Sequence, residues 1–178
     1  MFHAVRHGYA GGMIIRRETA PDRPEIFAVV EAAFPDSVEA QLLRELFAAR
    51  EYLPQLSLVA EGAGGEILGH VITTRGWIGS TPSLGLGPIA VAPQRQRQGI
   101  GSALMRASID AANAMGESTL VLLGSTDYYP RFGFVPADSM GITSPDPSWG
   151  SHFMALALDA HVPGVHGHFK YAEPFNAL

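Results

Sequence analysis

One stretch constrains this chain more than any other: Ile89-Ala90-Val91-Ala92-Pro93-Gln94-Arg95-Gln96-Arg97-Gln98-Gly99-Ile100-Gly101-Ser102. An apolar run stops at Pro93 and a polar, basic loop follows. Two glycines then open a helical pattern in which Ile100, Leu104, Ala107, Ala111 and Ala114 share one face. The wholly apolar Leu120–Leu123 reads as a strand covered on both faces and completes a βαβ unit over 84–123. The junction suits an anion. The first turn of a helix has N–H groups without intrahelical partners, and the macrodipole adds positive potential there. Gly99 and Gly101 let backbone approach a phosphate closely, Arg95 and Arg97 add charge, and Ser102 adds a hydroxyl donor. The loop is expected to hold a phosphate or pyrophosphate.

Two common phosphate motifs do not fit. A dinucleotide fingerprint needs a third glycine where this chain has Leu104, and a P-loop needs a lysine after its glycines. Lys170 is the only lysine, far along the chain. What remains is Q-x-x-G-x-G, carried by Gln96, Gly99 and Gly101.

The rest of the chain reads as one mixed αβ domain, a size that 178 residues suit. Ile14–Arg17 is a short strand. Thr19 or Asp22 caps a helix with Ile26, Val29, Val30, Ala33 and Phe34 in helical register, ended by Pro35. A second helix spans about 38–49, and Pro54 breaks the chain after it. Strands follow at 56–61, 67–74 and 84–92, the last interrupted by Gly85, Gly87 and Pro88, which signals a bulge or an open edge. A short helix is expected at 128–132. Phe134, 153–158 and the region around Tyr171 complete the sheet, around a loop at 137–150. Residues 1–12 read as an extension and 13–178 as the domain.

Composition excludes several classes. A net charge of −5 with a single lysine leaves no basic face for nucleic acid. No stretch approaches the roughly 18 apolar residues of a membrane span. The absence of cysteine rules out a thiol nucleophile and a zinc-thiolate site and fits a reducing cytoplasm. His161, His166 and His168 lie in a Gly/Pro-rich tail without regular ligand spacing, so no metal is expected.

The run from Val91 to Gly101 resembles the acetyl-CoA signature of the GNAT superfamily, (Q/R)-x-x-G-x-(G/A) preceded by V-x-P. A second segment, Tyr129-Pro130-Arg131-Phe132-Gly133-Phe134, is similar to the Y-x-x-x-G-F that follows the fifth strand of many members. Glu39-Ala40, Leu42 and the tail 153–175 resemble a YhbS-like bacterial branch, so the likeness covers 13–178. The resemblance implies an α/β (α+β) fold: a mixed, mostly antiparallel sheet with helices on both faces.

It also implies an N-acetyltransferase that moves an acetyl group from acetyl-CoA to an amine by direct transfer in a ternary complex. In such proteins the fourth strand splays from the fifth and its backbone pairs with the pantetheine arm, which maps to Ile89, Ala90 and Val91 here. One amide of that strand serves as an oxyanion donor. Gln96, Arg97, Gln98, Gly99, Ile100, Gly101 and Ser102 would hold the pyrophosphate. Tyr129 maps to the general acid that protonates the departing thiolate. The family's glutamate base has no counterpart, since 84–91 contains no carboxylate. Glu39 and His70 are the candidate bases or substrate contacts, beside a water relay. Trp77 and Trp149 either line an acceptor cleft or pack. A non-catalytic acyl-CoA-binding module is the alternative. The acceptor, a small molecule or a protein amine, and the choice between monomer and homodimer stay open.

Overall fold

The structure is a computed structural model and describes residues 7–178. Its strands are β1 (His7–Gly8), β2 (Ile14–Arg17), β3 (Tyr52–Glu61), β4 (Ile67–Ile78), β5 (Thr81–Val91), β6 (Thr119–Leu123), β7 (Val135–Pro136), β8 (Ile142–Thr143), β9 (Phe153–Ala157) and β10 (Gly167–Lys170). The helices are α1 (Arg23–Ala33), α2 (Val38–Ala48) and α3 (Ile100–Ala114), and short 3-10 turns occupy Tyr129–Phe132 and Glu173–Ala177. The sheet runs β1-β2-β3-β4-β5-β6-β9-β7, with β10 added against the far end of β4. Its pairs are antiparallel except β5–β6 and β8–β10. Among the described residues, no helix is long and apolar enough to cross a membrane.

Helices cover both faces, as expected. On one, Leu104, Ala103 and Ala107 of α3 pack on Leu58, Leu68 and Val71. On the other, Ile26 and Val30 of α1 and Leu43 and Leu46 of α2 pack on Val59, Ile72 and Ala90. Full burial of the leucine, isoleucine and valine side chains among these contributes about 1.5–3 kcal/mol each. Polar ties fix the helices in place. Asp22 accepts from the Thr19 N–H at 2.7 Å and pairs with both terminal nitrogens of Arg16, whose Nε reaches Glu61. That pairing outweighs burial, which acts the other way, and holds the Asp22 carboxyl down to about 2. The start of α1 is thereby bound to β2 and β3.

Two expectations need correction. Pro54 does not break the chain: it lies inside β3, in the interval between the Tyr52 and Ser57 pairs where the ladder with β4 is interrupted and a missing N–H loses no bond. The strands are also longer than their hydrophobic patterns, β4 running on to Ile78 and β5 beginning at Thr81. Within 1–12, His7–Gly8 pair with Ile14 and Ile15, and Tyr9 packs against the α3-side core; positions 1–6 lie outside the described residues.

The β10 segment is seated by glycine. A Cβ on Gly76 would come within 2.6 Å of the Phe169 ring and 2.9 Å of the Lys170 carbonyl. Because one of those neighbours is backbone, Gly76→Ala must displace β10. It is expected to lower the stability by about 1–3 kcal/mol, read as a shift in the urea midpoint.

Candidate active site

β5 and β6 pair at Leu84–Leu120 and Gly85–Val121 and then separate. The cause sits on the other edge of β5. Val71 pairs with Ile89 and Thr73 with Leu86, so Gly87 and Pro88 together oppose the single residue Ile72. This bulge turns β5 away from β6, as the Gly-Pro interruption predicted. Below the fork the strands are clamped. Arg75 donates to both Glu117 carboxylate oxygens, at 2.7 and 2.6 Å, and to the Ser83 carbonyl, while the Ser83 hydroxyl donates to the Thr119 carbonyl at 3.0 Å.

A cavity of about 560 Å³ occupies the fork. Leu86, Gly87, Pro88 and Ile89 form one wall, and Leu122, Leu123 and Tyr129 the other. Phe34, Glu39 and Leu42 close it from α2 and the turn before it, and Trp149, Tyr171 and Phe175 from the C-terminal region. Glu39 is the one carboxylate side chain among the lining residues.

The glycine loop lies beyond the end of β5. Ile89 reaches the cavity, whereas Ala90 turns into the α1/α2 core and Val91 packs on the α3 side. Arg97 has φ +61 and Gly99 φ +84, left-handed geometry that bends the chain into α3. The Ala103 N–H is the first to bond back, to the Gly99 carbonyl at 3.0 Å, which leaves the amides of the first turn for other partners. Gln96 and Gln98 spend their side chains on the loop itself, donating to the Val91 and Gln94 carbonyls. No acidic residue occurs between Pro93 and Ile109, so Arg95, Arg97 and Arg106 leave this end positive in a chain that is negative overall.

Tyr128 and Tyr129 bridge the two ends. The Tyr128 hydroxyl lies 2.8 Å from Ser102 Oγ in the first turn of α3, and its ring stands edge-on to Tyr129 at 5.1 Å. Tyr129 is seated over Gly124, where a Cβ would come within 2.2 Å of its ring. Burial, then the neighbouring Tyr128, raises its phenol above the usual tyrosine range, so it stays protonated at neutral pH. Sequence reasoning gave a role to Tyr129 and none to Tyr128; the Tyr-Tyr doublet was the available signal for the contact with Ser102.

The model of the acetyltransferase (GNAT) family matches residues 23–134. The chain belongs to the GNAT acetyltransferases. It is 35% identical to YjhQ of Escherichia coli K12, an uncharacterized N-acetyltransferase, over 86% of this chain and 88% of that protein. Among solved structures, the E. coli GNAT N-acetyltransferase YhbS in complex with CoA superposes with a TM-score of 0.86 at 29% identity, covering 99% of this chain and 95% of that one. A Brucella melitensis GNAT acetyltransferase in complex with acetyl-CoA gives 0.76 at 34% identity, over 93% and 99%. The YhbS-like resemblance therefore holds.

Of the two candidate bases, this GNAT domain brings only Glu39 to the cavity. His70 is fully buried beneath Phe47, its Nε2 at 3.0 Å from Ser57 Oγ and its Nδ1 without a partner among the described residues. It is corrected to a core histidine: alternation along β4 points it into the α1/α2 layer, away from the fork. Burial, and next the charge of Arg23, pushes its pKa down to about 3. The unfolded chain takes up this proton near 6.5 and the folded chain refuses it. The contribution is therefore intact above that pH and is lost as the pH falls. From pH 6.5 to 5 His70 should remove about 2 kcal/mol of stability. His70→Gln should flatten that slope in urea titrations run across the same interval.

Proposed function

We propose that this acetyltransferase transfers an acetyl group from acetyl-CoA to a primary amine directly, within the fork between β5 and β6. The observation that carries the reading is the free edge of β5 from Leu86 to Val91, leading from the cavity to the bare first turn of α3. A thioester on a long amide-bearing arm ending in a pyrophosphate matches that layout: amides along an unpaired strand edge, phosphates at a helix N-terminus. The complexes of the relatives with CoA and acetyl-CoA support it.

In this reading the backbone of Ile89, Ala90 and Val91 pairs with the arm, and the amides from Arg97 to Ser102 hold the pyrophosphate. Gln96 and Gln98 contribute by bracing the loop. The amine nitrogen attacks the thioester carbonyl carbon, and a β5 amide steadies the oxyanion. The carbon–sulfur bond then breaks, the sulfur takes its proton from Tyr129, and the proton that the acylated nitrogen sheds returns through water to the Tyr129 phenolate. An alkylammonium with a pKa of about 10.4 must first lose a proton. That proton leaves towards Glu39 or through water in the cavity, since β5 itself carries no carboxylate.

The test is Tyr129→Phe in steady-state kinetics, with acetyl-CoA affinity measured alongside. Loss of the acid should lower kcat by about 10²–10⁴-fold and leave acetyl-CoA binding within about twofold. An unchanged kcat removes Tyr129 from the chemistry.

A further inference from the structure

The acceptor end of the cavity is built from aromatic rings. Tyr171 stands at its centre, 4.6 Å from Phe175, 4.7 Å from Phe169 and 6.4 Å from Trp149, centroid to centroid. Its ring covers Gly85, where a Cβ would come within 2.7 Å, so the cluster is seated directly on the fork. Phe34 continues the apolar wall on the helical side.

Among the described lining residues two side chains carry charge, Glu39 and Lys170. Glu39 is half-buried and shares the cavity with Leu42, one helical turn further along α2. Lys170, the one cationic residue in the lining, is exposed and follows the inward-packed Phe169 in β10, so strand alternation directs its side chain away from the rings. A carboxylate side chain that shares its cavity with aromatic walls is complementary to one positive charge on an apolar body. The ring faces add a cation–π attraction for the ammonium, and the ring area rewards a carbon skeleton in place of water. A polyamine or an amino sugar would place further charges or hydroxyls against a lining that is mostly apolar and offers no second carboxylate side chain. A cavity of about 560 Å³ that also admits the thioester leaves room for a small molecule.

We infer that the acceptor is a small hydrophobic monoamine, an arylalkylamine or short alkylamine, whose ammonium faces Glu39 and whose body lies against Trp149, Tyr171 and Phe175. This rests on the acetyl-transfer reading above and names the acceptor class for the same site.

The experiment is CoA release and acetyl-amine formation from acetyl-CoA with 2-phenylethylamine, hexylamine, spermidine, glucosamine and an alanine-headed hexapeptide. Calorimetric binding of each amine to the protein–CoA complex runs in parallel. The two monoamines should exceed the others at least tenfold in kcat/KM. Trp149→Ala should raise KM for 2-phenylethylamine about tenfold, Trp149→Phe should restore most of it, and both should keep wild-type acetyl-CoA affinity. Glu39→Gln should weaken binding of both monoamines in calorimetry. Preference for spermidine, glucosamine or the peptide overturns the acceptor class and leaves acetyl transfer standing. Monoamines that bind in the predicted way yet yield no acetyl product uphold the class and overturn transfer. Monoamines that neither bind nor react overturn the class.

Discussion

The structure depends on two strands that pair briefly and then part. β5 and β6 share two residue pairs before the Gly87-Pro88 bulge carries β5 away. A sheet normally hides its ligand sites at strand ends, because an unpaired edge inside the sheet leaves backbone groups unsatisfied. Here the edge is opened on purpose and held open. The Arg75–Glu117 and Ser83–Thr119 contacts lock the strands just below the fork, and the aromatic ring of Tyr171 fills the space over Gly85.

Backbone conformation supports both ends of that groove. Among the described residues, Ser37 and Arg97 are the two non-glycine positions with left-handed φ, 60° and 61°. Ser37 immediately precedes α2, which presents Glu39 to the cavity, and Arg97 bends the loop into α3. Each such residue costs of order 1–3 kcal/mol in strain. Neither is hidden in the core, and each aims a helix N-terminus.

What could be read in the sequence follows from what local residues control. Glycines, the Gly-Pro bulge and the apolar period of α3 dictate backbone shape over a few residues, so the loop at 96–102 and the interruption of β5 were visible, and the family resemblance implied the fork. Side-chain partners that meet across the chain were not. Tyr128 finds Ser102 across 26 positions, and Phe169, Tyr171 and Phe175 form a wall only once β10 docks on Gly76. His70 misled because a polar residue in an apolar strand looks the same whether it faces a site or a sealed layer. The α2 layer decides which, and Phe47 covers it. Pro54 misled for the converse reason: its cost depends on whether a neighbouring strand needs its N–H.

The open edge of β5 also separates two kinds of demand on the same residues. In a pleated strand the side chains point up and down while the peptide groups point sideways. Ala90 serves the core under α1 and α2, and Val91 the core under α3, yet the lateral edge between them is main chain and has no side-chain identity. Substitutions at these positions can therefore drift with the needs of packing, from one descendant sequence to the next, while the hydrogen-bonding face of the strand is inherited unaltered. Only the bulge is exempt from that freedom, since there the main chain itself is what the sequence encodes.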